Sequence, residues 1–393
     1  MEPWHIPAYI AAICARLEQS GHPAYLVGGC VRDLFLGRRP RDWDLASAAA
    51  PEEVLSLFPR SEATGLRHGT VTVHWGPGKA EHTTFRREGA YSDHRRPDQV
   101  AFVEDLETDL ARRDFTINAM ALRAGVVADP FGGLRDLECG LIRTVGEAER
   151  RFSEDALRMF RAYRFAGRFG FSLQMETEAA IYRCAPWAGA LAQERVYAEL
   201  SGILEGPGPD CFWDAADAGL LGARLQAAPP LPRPGRSLRS LPRRCRWPAA
   251  AAWLARQGYV QSPEAFLRGF RPPERLCRLW SESAALALAG VPETELEWKR
   301  RISQKGWDAA WTSAWIAAFL GQAGALAALR RIRRSGDCLF PRELALSGGD
   351  LAACGLQGAE IRTALDRLLD HVLACPEDND RNVLLALLGL EKL

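Results

Sequence analysis

The chain has 393 residues, 47% of them hydrophobic and 25% charged, with a formal net charge of +1. That length accommodates two to four domains of ordinary size, and the composition is that of a globular rather than a disordered protein. Near-neutrality excludes a global field that would by itself advertise a polyanionic partner.

In chain order, the first stretch carries a short apolar run with no basic lead, so no secretory signal is expected. Ile6, Ile10, Ile13 and Leu17 have helical spacing, and the predicted helix stops at Gly21. AYLVGG reads as a short buried strand running into a glycine turn, and VRDLFLG as a helix opening on that turn. DWDLAS reads as a second strand, PEEVLSLF as a helix with proline at its start, and GTVTVHW and AEHTTFR as alternating strands. The first 145 or so residues are therefore mixed α/β. From Arg151 onward the pattern is helical, as in SEDALRMFRAYRFAGRFGF, TEAAIYRCAPWA and QERVYAELSGILEG, and no further strand is predicted. The proline- and arginine-rich segment 228–248 is predicted to be a loop. Ten cysteines without a CxxC read as reduced thiols rather than a disulfide framework or zinc knuckle. No stretch approaches the roughly 20 apolar residues of a membrane span. The expected setting is soluble and cytoplasmic, with no membrane partner.

The basic residues are lopsided: four lysines stand against 46 arginines. GC-rich coding would produce that bias, and so would selection for the better phosphate fork; local clusters have to decide. The first chemistry-bearing constellation is GGCVRDLFLGRRPRDWDLA. Residues i and i+2 of a strand face the same way, so Asp42 and Asp44 can aim both carboxylates at one point, as a hard cation such as Mg²⁺ requires. Gly28 and Gly29 expose backbone N–H groups at a helix start, a cradle for phosphate, and Arg32 stands one turn into that helix. A triphosphate cradle beside a metal pair is the equipment of phosphoryl or nucleotidyl transfer. Glu81, on the next alternating strand, is a candidate third carboxylate, although a surface strand glutamate would look the same. In LARRDFTINAMAL, Arg113 and Asp114 offer a phosphate fork and a ribose acceptor, with helix capping by Asp114 as the plainer explanation. In SEDALRMFRAYRF a helix capped by Ser153 would carry Asp155, Arg158, Arg161 and Arg164 on one half and Leu157, Met159, Phe160 and Tyr163 on the other. A solvated basic face explains that pattern. So does base recognition, in which a carboxylate accepts from an exocyclic amine and a guanidinium donates to the neighbouring ring nitrogen, admitting cytosine and adenine and refusing uracil and guanine.

Taken together, these residues resemble the class II tRNA nucleotidyltransferases, the CCA-adding enzymes that share ancestry with bacterial poly(A) polymerases. The resemblance rests on LVGGCVRDLFLG with DWD, EHTTFR, YSDHRRPDQVAFVEDLETDLARRDFTINAMA, DPFGGLRDL, SEDALRMFRAYRFAGRFGF and ERVYAEL, covering about 25–204 in order. It implies an α+β fold: a nucleotidyltransferase-type α/β head with a small mixed sheet over 1–150, then an all-α neck (151–205), body (206–330) and tail (331–393), the last two holding tRNA. It further implies that Asp42 and Asp44 hold catalytic Mg²⁺ and that Gly29 and Arg32 contact the nucleotide. Arg113 and Asp114 would bind triphosphate and ribose. The stretch from Glu154 to Arg158 would select CTP and then ATP, and Arg161 and Arg164 would complete the pocket. The implied activity is template-independent addition of C, C and A to the tRNA 3′ end. An A-adding enzyme or poly(A) polymerase on the same fold is the alternative, and a catalytically silent RNA-binding protein is the alternative of another class. The chain has Asp-His pairs (93–94 and 370–371) but no His-Asp dipeptide, so an appended phosphohydrolase activity is not expected. Residues 89–111 read as a complete, mobile loop needed for the final A, which argues against CC-only addition. Two arginine clusters, Arg330, Arg331, Arg333, Arg334 and Arg236, Arg239, Arg243, Arg244, Arg246, are candidate phosphate contacts.

Overall fold

The computed structural model of the chain describes residues 5–89 and 99–390. Two compact units divide it: Met1–Ala223 with Ala228–Leu231, and Arg224–Ala227 with Pro232–Leu393. The expected boundaries near 150 and 205 fall inside the first unit, and that near 330 inside the second.

The first unit opens with α1 (Ala8–Gln19), β1 (Tyr25–Val27), α2 (Gly29–Phe35), β2 (Asp44–Ser47), α3 (Pro51–Leu57), β3 (Ser61–Gly65), β4 (Thr70–Trp75) and β5 (Gly78–Thr84). β6 (Arg86–Glu88), β7 (Val100–Phe102), α4 (Leu106–Ala111), β8 (Ala121–Arg123), β9 (Val126–Ala128) and α5 (Gly133–Glu138) follow. Seven strands form one mixed sheet in the order β3-β4-β5-β2-β1-β8-β9, in which only β2 and β5 run parallel. The helical spacing at the start of the chain has its expected effect. Ile10, Ile13 and Leu17 of α1 are fully buried against a core that includes Leu26, Leu45, Val54, Val71 and Val73. That burial fixes the strand register, Leu26 opposite Leu45 and Asp44 beside Glu81. A one-residue slip would exchange the two faces.

β10 (Leu141–Ile142), α6 (Ala148–Glu154), α7 (Leu157–Phe169), β11 (Ser172–Leu173), α8 (Met175–Cys184), α9 (Gln193–Leu204) and α10 (Cys211–Asp217) complete this unit. β11 pairs in parallel with β10, so one short strand exists where only helices are expected; two residues are too few to show a period. α7 approaches the 206–208 turn so closely that a Cβ on Gly167 would lie 2.6 Å from the Gly208 carbonyl oxygen.

The second unit is helical: α11 (Arg243–Arg256), α12 (Pro263–Arg268), α13 (Glu274–Leu288), α14 (Glu295–Phe319), α15 (Ala325–Ser335), α16 (Gly348–Ala353), α17 (Ala359–Ala374) and α18 (Arg381–Leu387). α14 bends at Gly306, whose φ of 78° is non-helical. Trp298, Ile302, Leu329, Ile332, Leu368 and Val372 share its core. The loop expected over 228–248 is shorter than that, because Arg243–Pro248 already belong to α11 and Cys245, Arg246 and Trp247 are buried there. Composition misled here because Pro248 is tolerated inside the helix.

The loop expected over 89–111 is likewise only partly irregular. Gly89 N–H donates to the Gln99 carbonyl (2.9 Å), β7 pairs with β6, and α4 buries Asp109 and Leu110 behind an Asp105 cap. The centre of that segment, including the pairs 93–94 and 95–96, lies outside the described residues. No described helix is long and apolar enough to cross a membrane.

Candidate active site

The glycine turn after β1 is constrained twice. Gly28 has φ 72° and ψ −128°, in the region that costs glycine least, and a Cβ there would lie 2.5 Å from Arg113 Nη1. Its N–H donates to the Met120 carbonyl (3.1 Å), tying the turn to the end of the Thr116–Asn118 turn and β8. Arg32, one turn into α2, is buried rather than free. Its Nε and Nη2 donate to Asp33 Oδ1 (3.0 and 2.7 Å), its Nη1 to Asn118 Oδ1, and its guanidinium lies 4.7 Å from the centroid of Phe169.

Asp42 lies in the bend before β2, not on the strand; β2 begins at Asp44. The alternation nevertheless continues. Trp43 is buried, its carbonyl accepts from Glu81 N–H (2.9 Å), and Asp42 and Asp44 both line one cavity. Glu81 stands beside Asp44 in the parallel register but is exposed and outside the lining of that cavity. Burial, reinforced by the Glu81 and Asp42 charges, pushes the Asp44 carboxyl up to about 6 against the pull of Arg113 and Arg32. His82, next on the strand, faces inward. Its Nε2 and the Ser47 hydroxyl share a 2.8 Å hydrogen bond, and burial lowers it to about 4.

Asp114 is the opposite case. Its Oδ1 accepts from Phe115 N–H (2.9 Å) and Asn118 Nδ2 (3.0 Å), and its Oδ2 from Arg161 Nε (2.8 Å). Burial alone would raise its carboxyl, but the Arg161 charge and these hydrogen bonds hold it down at about 2. Behind it, fully buried Asp109 anchors two arginines, accepting from Arg112 Nε and Nη2 (2.9 and 2.8 Å) and from Arg113 Nη2 (3.2 Å). Arg113 Nε is buried with no hydrogen-bond partner among the described residues.

The helix expected to start at Ser153 is two helices. Ser153 lies in the last turn of α6, donating to the Arg150 carbonyl (2.8 Å), and Asp155 breaks the helix with φ −147° and ψ 103°. Asp155 Oδ1 accepts from Leu157 N–H (3.1 Å) at the start of α7, and its Oδ2 pairs with Arg195 Nη2 of α9 (2.8 Å). The apolar half is as expected, with Leu157, Met159, Phe160 and Tyr163 buried. The basic half is not a solvated face. Arg158 is buried, and donates to Glu154, to the Arg151 carbonyl (2.9 Å) and to the Arg112 carbonyl (3.3 Å). Arg164 pairs with Glu199 of α9 and lies 4.6 Å from the Phe165 centroid.

One cavity of about 750 Å³ gathers Gly28, Gly29, Arg32, Asp42, Asp44, Arg113, Asp114, Asp155, Arg158, Arg161 and Arg164. Glu81 and Glu154, also named from the sequence for this site, are not among its lining residues. Sequence reasoning missed the supports: Asp109, Arg195 and Glu199. Asp109 had a readable signal, since it precedes Arg112 and Arg113 by three and four residues, the spacing of helical ion pairs. Arg195 and Glu199 had none, because each reaches its partner from a distant helix. The cavity combines carboxylates that have no ion-pair partner among the described residues and can take a hard cation, a fork able to take phosphate, and a charged recess able to read the edge of a base.

The poly(A) polymerase head domain model matches residues 24–143. Over nearly the whole length, the chain is 38% identical to the CCA-adding enzyme of Geobacillus stearothermophilus, across 384 residues that cover 94% of this chain and 93% of that one. It is 43% identical to the CCA-adding enzyme of Geobacillus thermodenitrificans over 291 residues, 72% of this chain and 70% of the other. Among solved structures, the crystal structure of Bacillus stearothermophilus CCA-adding enzyme in complex with CTP superposes with a TM-score of 0.79 at 32% identity, covering 99% of this chain and 98% of that one. The Thermotoga maritima CCA-adding enzyme complexed with tRNA shares the fold, with a TM-score of 0.67 at 20% identity over 98% of this chain and 97% of its own.

Proposed function

The chain belongs to the CCA-adding enzyme family, and from that premise we propose that it adds C, C and A in turn to the 3′ end of tRNA, without a nucleic acid template, using CTP and ATP. The observation that carries this reading is the single cavity that brings cation-seeking carboxylates together with an arginine-lined recess of nucleotide size. In this reading residues 1–150 are the catalytic head and 151–205 the neck that selects the nucleotide, while the helices of 206–330 and 331–393 hold the acceptor end of tRNA.

The carboxylates fit a divalent cation. Asp42 and Asp44 supply hard oxygen donors that accept no hydrogen bond among the described residues, and burial with like charge raises Asp44. These two residues would hold Mg²⁺, which when bound supplies charge neutralisation at the reacting phosphate and at the attacking hydroxyl. Glu81, in register beside Asp44, reinforces the negative charge there. Arg113, anchored by Asp109 and pressed against the Gly28 turn, orients the triphosphate. Asp114 holds Arg161 in place and, with two lone pairs per oxygen, can still accept from a ribose hydroxyl. Asp155 and Arg158 would read the base edge, with Arg195 holding Asp155 in position.

The test is metal-dependent incorporation of labelled CTP and ATP into a tRNA that ends at its discriminator base. Addition of C, C and A followed by arrest supports the reading. Extension by A alone favours the A-adding or poly(A)-polymerase reading, which the head-domain match keeps in view. Tight tRNA binding with no incorporation favours a silent RNA-binding protein.

A further inference from the structure

The end of α17 carries three chemically different donor groups that nucleotide addition does not use. His371 sits in the last turn, Cys375 follows as the cap, and Asp378 closes the 3₁₀ turn Pro376–Asp378. One ligand atom from each, an imidazole nitrogen, the thiol sulfur and a carboxylate oxygen, lies within 4.8 Å of the other two. The backbone that presents them is tied down. Cys375 N–H donates to the His371 carbonyl (2.9 Å) and Asp378 N–H to the Cys375 carbonyl (3.1 Å). The next residue, Asn379, accepts from Ala345 N–H (2.8 Å) and donates to the Glu343 carbonyl (3.1 Å), pinning the turn to a neighbouring segment. The His371 and Asp378 side chains are 35% and 36% exposed, so an ion can enter from solvent without unfolding.

We propose that His371, Cys375 and Asp378 form a binding site for a borderline divalent cation of the zinc class, separate from the Asp42 and Asp44 pair. The donor set decides the class. Thiolate, imidazole and carboxylate together suit Zn²⁺ and its transition-metal neighbours, whereas Mg²⁺ prefers oxygen alone. Three protein ligands leave the fourth tetrahedral position to water. On binding, the 2.7 Å contact between His371 Nε2 and Asp378 Oδ2 opens to admit the ion, and the thiol gives its proton to solvent. Thiolate and carboxylate then balance the two positive charges. The bound ion joins the end of α17 to the turn that follows it and stabilises the folded state by mass action.

The experiment adds Co²⁺ to the full metal-free chain in excess Mg²⁺, which occupies the all-oxygen site. The expected signature is a thiolate-to-cobalt charge-transfer band with the strong visible absorption of a tetrahedral centre, both removed by Zn²⁺. Cys375→Ser loses the charge-transfer band although the other nine cysteines remain. His371→Gln keeps the thiol but weakens apparent Zn²⁺ affinity about tenfold or more. Zn²⁺ raises the melting temperature of the wild type but not of Cys375→Ser, whose metal-free melting matches the wild type. Absence of the band in the wild-type chain overturns the site, and so does a band of full strength in Cys375→Ser; the cluster is then only a hydrogen-bonded His–Asp pair beside a free thiol.

Discussion

Asp44 and Asp114 line the same cavity and both lose most of their hydration, yet the fold treats their charges in opposite ways. Asp44 rises to about 6, with Glu81 and Asp42 as like-charged neighbours. Asp114 falls to about 2, with Arg161 in direct contact and two further donors satisfied. Burial is common to both, so the contact partners make the difference. A carboxylate already neutralised from within serves as structure and positioning. One left with unbalanced negative charge can take a cation, and without one it costs the fold stability.

The largest expected effect follows from the unbalanced member. Asp42→Ala or Asp44→Ala should lower incorporation by about 10³-fold or more, since each removes several kcal/mol of charge stabilisation at the reacting phosphate. Nucleotide and tRNA binding should largely persist. The same position should trade activity for stability. The folded pKa of Asp44 lies above its unfolded value near 3.8, so its stabilising contribution is complete below about pH 4 and is lost as pH rises through about 6. Without metal at neutral pH, Asp44→Asn should therefore be more stable than wild type by about 1–3 kcal/mol. Urea midpoints should separate as pH rises from about 4 to 6. Equal midpoints throughout, or incorporation near wild type in the alanine variants, would break the contrast on its Asp44 side.

The balanced member should fail in the other direction. Asp114→Ala leaves the Arg161 charge, Phe115 N–H and Asn118 Nδ2 without their acceptor. Breaking a buried pair of this kind costs about 3–5 kcal/mol, read as a lower urea midpoint. Because the folded pKa is depressed, the contribution is present above about pH 4 and disappears as pH falls toward about 2. A midpoint shift below about 1 kcal/mol would mean that Asp114 is not the anchor its geometry makes it.

The two aspartates also mark how far the sequence could be read. Spacing revealed what is local: the buried face of α1, the strand that carries Asp44, the glycine turn, and the apolar half of α7. Together with the family resemblance it singled out eleven residues that line one cavity. It could not see partners that arrive from elsewhere in the chain. Arg195 and Glu199 come from α9 to hold Asp155 and the arginines of α7, and no period encodes such contacts. Nor could it tell a buried arginine from a solvated one: a solvated face stayed open as a reading for Arg158, and Arg246 stood among the candidate phosphate contacts, yet both are buried. The break at Asp155 was hidden because both flanking segments are good helix formers.

Arg158 sharpens the comparison within the same cavity. It is buried and shared among Glu154 and two carbonyls, so Arg158→Ala should lose about 1–3 kcal/mol of stability. If it also donates to the base, the ratio of kcat/KM for CTP over UTP should fall roughly ten- to hundredfold, about 1–3 kcal/mol. Asp155→Ala should lower the same ratio while leaving Arg195 without its acceptor. Unaltered discrimination in both variants, measured where each is folded, would reduce the pair to scaffolding.

The smallest effect tests whether the rule of unbalanced charge extends to the helical unit. On α15, Arg331 pairs with Glu295 (3.8 Å) and Arg333 lies 5.1 Å from the Trp307 centroid. Arg330 and Arg334 are exposed and make no ion pair among the described residues. By the logic of Asp44, the unpaired arginines are the ones left for an outside ligand, here tRNA phosphate. Each phosphate contact contributes about 0.7–0.9 to the slope of log affinity against log salt. Arg330→Gln with Arg334→Gln should therefore flatten that slope by about 1.4–1.8 and weaken binding similarly across tRNA sequences. Arg331→Gln with Arg333→Gln, which removes the same formal charge from the same helix, should change it by less than half as much. Equal slopes in the two double variants would show that pairing within the fold does not govern which arginines meet RNA, and would confine the rule to the catalytic cavity.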